Sequence, residues 1–287
     1  MSLARDVAGI RFANPILLAS GTAGFGREVA GVIALHRLGG LVTKAVSLAS
    51  RTGNRPPRVA EFHGGMLNSV GLANPGVAHV SANELPWLSA QAPRLPVLVN
   101  VVGFTIDEYA GVVGQLEACE GHAGYELNLS CPNTDAGGIE FGADVRTVHD
   151  VIARCRRATP RPLFAKLSPM LPNVPAMARV AHEAGADGIT LVNTMPGLGY
   201  ERGRTRLGNG FGGVSGPALL PVGLLAVART ADALPGVPII GVGGISHVDH
   251  ARDYLRAVAV LVAIGTAALA DPRVPERIIA ALERTDG

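Results

Sequence analysis

The chain predicts an α/β fold: a (β/α)8 TIM barrel with long loops on its C-terminal face. Three observations carry this. Short apolar runs alternate with amphipathic stretches along all 287 residues, and there are eight of each. The apolar runs are continuous rather than alternating, as in parallel strands covered on both faces. A doubly wound open sheet shares this periodicity and remains the alternative, because a pattern along the chain does not show whether a sheet closes.

The first strand is expected at Ile16–Ser20, with a helix over 27–38 that stops before Gly39. The second, Leu41–Val46, opens a long connection at 47–75, rich in Arg, Pro and Gly, that leads to a helix over 76–91. Val97–Val102 and a helix over 106–119 form the third unit. Tyr125–Ser130 is followed by a helix over 144–157, with the Asp144 carboxylate at its start. Leu163–Ser168 precedes a helix over 174–184 that ends at Gly185. Gly188–Asn193 opens a second long connection, 194–216, before a helix over 217–233. Ile239–Gly243 leads to 247–256, with Asp249 near the start, and Ala259–Gly265 to 274–283. No linker or repeat interrupts the series, so one domain spanning 1–287 is expected. Both long connections leave strand C-termini, where barrels build binding loops and lids, though a plain surface insertion reads the same way.

Charged residues make up 17% of the chain and hydrophobic ones 48%, the balance of a globular protein. A formal charge of +2 with scattered arginines does not suggest nucleic-acid binding. Cys119, Cys131 and Cys155 are odd in number and lack metal-ligand spacing. They point to a reducing compartment, and three thiols do not complete a four-cysteine cluster or zinc site. The N-terminus carries no signal-peptide pattern, and its apolar stretch 15–19 is too short to span a bilayer. A cytoplasmic protein without a membrane partner is expected.

Of 25 Lys and Arg side chains, only Lys44 and Lys166 are lysine. Both lie in apolar, strand-like runs, where an ammonium is costly without a partner or ligand. Each is read as a site residue or as an ion-paired core lysine. On a barrel, further polar residues fall at strand ends on the same rim: Ser20, Asn100, Asn128 and Asn193. The last two strands end in Gly243–Gly244 and Gly265–Thr266, where barrels often hold a phosphate. Cys131 lies just past a strand end in the run ELNLSCPN (126–133) and is a candidate base or nucleophile. Cys119 and Cys155 fall within helices and read as packing thiols. Within the first long loop, GMLNSVGL (65–72) offers an amide, a hydroxyl and glycines. Asn68, Asn128 and Asn193 could together read a planar ring of alternating carbonyl and N–H groups, since an amide both donates and accepts. Capping or turn roles are the competing reading for each asparagine.

These motifs resemble the dihydroorotate dehydrogenases, within them the soluble class 1, family 1B catalytic subunits. The matching segments are NPILLASGTAGFG (14–26), 43–45, GNRPPR (53–58), GMLNSVGLANP (65–75), ELNLSCPN (126–133) and KLSP (166–169). They continue with 192–194, SGPA (215–218), 241–245 and 265–266, nearly end to end. The resemblance implies an FMN-dependent barrel that oxidises (S)-dihydroorotate to orotate in pyrimidine biosynthesis. Carried over by motif, FMN contacts are expected from Ser20, Lys44, Ala45, Asn100, Asn128 and Lys166. Val192, Gly216, Gly243, Gly244, Gly265 and Thr266 complete that set. Lys44, Asn68, Ser69, Val70, Gly71, Leu72, Asn128, Asn193 and Thr194 are expected to hold the substrate. Cys131 is expected to be the base, where the membrane-bound class has serine. Family 1B further implies a homodimer, joined in a heterotetramer by a subunit carrying FAD and an iron–sulfur cluster that passes electrons to NAD. Two segments depart from the pattern: AEFHGG (60–65), where relatives more often have a threonine near Phe62, and TDAGG (134–138), with Asp135 in place of a basic residue. Another FMN barrel acting on a dihydropyrimidine, a non-catalytic paralogue and a Schiff-base aldolase barrel are the competing classes.

Overall fold

The computed structural model describes residues 3–130, 132–133 and 139–286. Eight parallel strands close into a barrel: Ile16–Leu18 (β1), Gly40–Val42 (β2), Val97–Val101 (β3), Gly124–Asn128 (β4), Leu163–Leu167 (β5), Gly188–Leu191 (β6), Ile239–Val242 (β7) and Leu261–Ile264 (β8). Closure comes from β8 against β1, with Val262, Ala263 and Ile264 opposite Ile16, Leu17 and Leu18. The open-sheet alternative is thereby excluded. Each strand is buried over most of its length because side chains fill the barrel on one face and helices cover the other.

Most ladders stop short of the expected strand ends. The last residues turn into the rim instead: the Lys44 N–H leaves the sheet and donates to Gly24 O (2.8 Å) in the loop after β1.

Helices over 106–119, 144–157, 174–184, 247–256 and 274–283 are expected, and they are found at Ile106–Glu117, Val145–Arg156, Val174–Glu183, Val248–Arg256 and Val274–Asp286. Thr105, Asp144 and Asn173 cap the first three by accepting backbone N–H groups. The stretch 77–91 is helical with a π turn at Val80–Glu84, widened just before Pro86, which has no N–H to give. The helix over 217–233 begins as a 3-10 turn, Pro217–Leu219, and continues as Leu220–Ala233.

The helix expected over 27–38 does not form. Isolated turns and a short 3-10 segment, Leu35–Arg37, take its place. Positive φ at Gly24 and Gly26 breaks its start, and the Ala34 N–H donates to Glu276 Oε1 (2.8 Å) rather than along a helix. An N-terminal hairpin, Arg5–Val7 with Ile10–Phe12, has no counterpart in the sequence reading. It turns through Ala8 and Gly9, both at positive φ. Val7, Ile10 and Phe12 then pack against Leu17, Leu98, Phe164, Ile240 and Leu261, closing the barrel at the N-terminal ends of the strands.

The two long connections interlock. Val59–Phe62 and Gly65–Asn68 from the first pair with Gly212–Ser215 and Met195–Gly197 from the second. Together they form one four-stranded antiparallel sheet at the C-terminal mouth. Among the described residues no helix is long and apolar enough to cross a membrane.

Candidate active site

Side chains two residues apart on a strand share a face. Above the apolar layer of Leu98 and Phe164 therefore sit Asn100 on β3 and Lys166 on β5, with Glu126 on β4 and Thr190 on β6 between and beside them. All four are buried, and Glu126 is only 1% exposed. Asn100 Nδ2 donates to Glu126 Oε1 (2.7 Å), and Lys166 Nζ approaches the same oxygen at 3.4 Å while donating to Ser20 Oγ at 3.2 Å. The buried polar atoms Asn100 Oδ1, Thr190 Oγ1 and Ser130 Oγ have no partner among the described residues. Native interiors satisfy nearly all such atoms, so three at one mouth point to a ligand.

The rim above this layer carries the asparagines. Asn193 Nδ2 donates to Asn128 Oδ1 (2.9 Å), and the Thr194 N–H donates to Asn193 Oδ1 (2.8 Å). Tyr109 OH donates to Asn128 O (2.6 Å) and fixes the end of β4. Lys44 is half-buried, and its ammonium has no ion-pair or hydrogen-bond partner among the described residues. Ala45 and Val192 are buried on the flanks.

The run from Asn68 to Leu72 is held from outside. Asn68 Nδ2 donates to Gly213 O (3.1 Å), linking it to the second long connection. Asn54 Nδ2 donates to Ser69 O (3.2 Å) and Ser69 Oγ (2.8 Å), and the Asn54 N–H donates to Val70 O (3.0 Å). Gly71 and Leu72 are both left-handed, at φ 72° and 56°. That conformation is costly for leucine and marks a turn over-determined by its surroundings. Asn74 completes it by donating to Leu72 O (2.7 Å) and Ser47 Oγ (2.8 Å).

At the far side of the mouth, Gly216 and Gly244 pack so closely that a Cβ on either would lie within 3 Å of backbone at Gly65 and Leu220 respectively. Gly243 adjoins them, and Gly265 precedes the short helix Thr266–Ala270. Thr266 Oγ1 donates to Ser215 Oγ (2.9 Å), tying the β8 loop to the one before Gly216.

The structure thus brings Ser20, Lys44, Asn100, Asn128, Lys166, Asn193 and the glycine turns to one mouth. Cys131 and the TDAGG segment at 134–138 lie outside the described residues. Sequence reasoning passed over Glu126, Thr190, Asn54 and Asn74. Glu126 was findable, as a carboxylate inside an apolar strand two residues before Asn128. Asn54 and Asn74 act through neighbours that the fold supplies, and Thr190 joins the layer only once β6 lies beside β5.

Along nearly its whole length the chain is similar to known proteins of one family. The family model described as dihydroorotate dehydrogenase matches residues 2–285. A Pelobacter propionicus protein named dihydroorotate dehydrogenase B (NAD(+)), catalytic subunit, is 42% identical over 281 residues, covering 97% of this chain and 91% of its own. An Anoxybacillus flavithermus protein of the same name is 43% identical over 286 residues, covering 98% and 89%. A Solibacter usitatus protein, provisionally named dihydroorotate dehydrogenase A (fumarate), is 45% identical over 278 residues, covering 96% and 90%. With the closed barrel and a match along nearly its whole length, the chain belongs to the dihydroorotate dehydrogenase family, flavin-using oxidoreductases of pyrimidine biosynthesis.

Proposed function

We propose that the chain oxidises (S)-dihydroorotate to orotate with FMN held at the C-terminal mouth of the barrel. The observation that carries this is the buried polar layer, in which Asn100 Oδ1 and Thr190 Oγ1 have no partner among the described residues. Each such atom costs roughly 1–3 kcal/mol if left unmet, and a polar heterocycle bound there offsets that cost. Gly216 and Gly244, both at positive φ and packed against Gly65 and Leu220, form turns of the kind whose backbone N–H groups can face the phosphate of the same ligand.

In this reading Ser20, Lys44, Ala45, Asn100, Asn128, Lys166 and Val192 surround the ring system. Gly216, Gly243, Gly244, Gly265 and Thr266 take the phosphate end. When bound, FMN supplies an acceptor for the hydride that leaves C6 of the substrate. Lys166 places a fixed ammonium beside the ring, where negative charge accumulates on reduction. The run Asn68, Ser69, Val70, Gly71 and Leu72, with Asn128, Asn193, Thr194 and the ammonium of Lys44, orients dihydroorotate. Cys131 takes the proton from C5, so the substrate loses one proton and one hydride.

The proposal extends to partners. A single barrel domain, 1–287, works in the cytoplasm as a homodimer, within a heterotetramer whose second subunit carries FAD and an iron–sulfur cluster and reduces NAD. The names of the Pelobacter and Anoxybacillus relatives support this acceptor, and the Solibacter name favours fumarate as the second reading. Anaerobic mixing of the FMN-loaded chain with dihydroorotate tests the core of the reading, with bleaching of the flavin absorbance expected. A flavin that stays oxidised refutes it. The purified chain alone is expected to leave NAD unreduced, and rapid reduction of fumarate by that chain would select the second reading.

A further inference from the structure

We infer that Glu126 is a positioning residue that sets both the charge and the hydrogen-bond polarity presented to the flavin. The inference rests on the placement of FMN proposed above.

Three facts carry it. Glu126 is the most buried carboxylate of the mouth, 1% exposed, on the inward face of β4. Its Oε1 receives both Asn100 Nδ2 (2.7 Å) and Lys166 Nζ (3.4 Å). Asn100 Oδ1, on the other side of the same amide, has no partner among the described residues.

The consequence for Asn100 is direct. A carboxylate only accepts, so it takes the amide N–H and turns the carbonyl oxygen away. Asn100 is thereby fixed as an acceptor, suited to a ring N–H and not to a ring carbonyl. The consequence for Lys166 is electrostatic. Its ammonium has three N–H donors, of which Glu126 and Ser20 engage two. The carboxylate holds the ammonium in place and offsets its charge, so a bound ring meets a neutral pair with its positive end forward. A lone ammonium in this buried layer would favour reduced, anionic flavin more strongly. Glu126 therefore lowers the flavin potential while keeping the cation in position, which leaves the reduced ring able to pass its electrons on.

The test uses the FMN-loaded chain, with Glu126→Gln and Glu126→Asp beside the wild type. Gln keeps the length and an acceptor oxygen but removes the negative charge. Its flavin should be easier to reduce, with the two-electron equilibrium moved about tenfold toward the reduced form, equivalent to ~30 mV. Asp keeps the charge on a shorter arm. It should hold a wild-type potential but bind FMN about tenfold more weakly, because Asn100 is no longer fixed. Potentials are read by equilibration with a reference dye, and FMN affinity by quenching of flavin fluorescence on binding to the apoprotein. A Glu126→Gln flavin with wild-type potential, or a Glu126→Asp protein with wild-type FMN affinity, overturns the inference. A Gln variant that does not fold leaves the Asp affinity to decide. Wild-type chain that takes up no FMN would instead overturn the proposed cofactor site.

Discussion

Replacing His122 by glutamine should make the protein markedly less sensitive to mild acid. His122 is 7% exposed, and its Nε2 lies 2.9 Å from Tyr125 OH. That hydroxyl donates to Glu117 Oε2 (2.9 Å), so it accepts from His122, whose buried Nδ1 has no partner among the described residues. Burial first, and the nearby Arg161 guanidinium second, push the imidazole from 6.5 down to about 4, against a smaller opposing pull from Glu117. The unfolded chain binds this proton near 6.5 while the folded protein refuses it until about 4. Stability is therefore fully present above 6.5 and is lost as pH falls between those values. The whole gap, at ~1.36 kcal/mol per pH unit, is worth roughly 3 kcal/mol, of which about 2 kcal/mol is lost between pH 7 and pH 5. Glutamine keeps an N–H for Tyr125 and does not titrate. Urea unfolding of both proteins at the two pH values isolates the effect, because every other titrating group is common to both. The wild type should lose about 2 kcal/mol more than the variant. Parallel losses would refute the depressed imidazole and the neutral hydrogen-bonding role assigned to it.

Lys166→Met in the apoprotein should cost roughly 3–5 kcal/mol by stranding the Glu126 carboxylate, and markedly less in a Glu126→Gln background; equal costs by thermal and urea unfolding would show that the two do not act as a pair. Lys166→Arg should lose activity despite conserving charge, because a wide guanidinium fork does not fit between Ser20 and Glu126, and near-wild-type flavin reduction would contradict this. Cys131→Ser should slow flavin reduction by dihydroorotate, with a residual rate that rises with pH and FMN binding intact; stopped-flow bleaching at several pH values checks it. Asn54→Ala removes two hydrogen bonds to Ser69 and should raise the KM for dihydroorotate about tenfold, while FMN affinity measured by fluorescence stays near wild type.

The sequence by itself determined the succession of eight strand-and-helix units and much of the rim they carry. Strands buried on both faces are written as almost wholly apolar runs, so Val97–Val101 and Leu163–Leu167 were legible from the pattern along the chain. Lys166 stood out for the same reason, as a charge inside such a run. Helix caps were equally local: the Asp144 side chain meets the Thr147 N–H three residues on, within reach of any reading along the chain. Closure of the sheet was a matter for tertiary structure, since β8 finds β1 across more than 240 residues and no periodicity records that pairing. The same holds for the two long connections, each readable as a separate insertion until Gly213–Ser215 pairs with Met66–Asn68. In the stretch 27–38, where a helix is expected, the Ala34 N–H donates to Glu276 of the last helix, a partner no reading along the chain supplies. Glu126 shows the division most sharply. Its place in the strand was visible, but its role depends on Asn100 and Lys166, 26 and 40 residues away, which only the closed barrel sets beside it. Local preference is written residue by residue, whereas the partner of a buried charge is chosen by the fold.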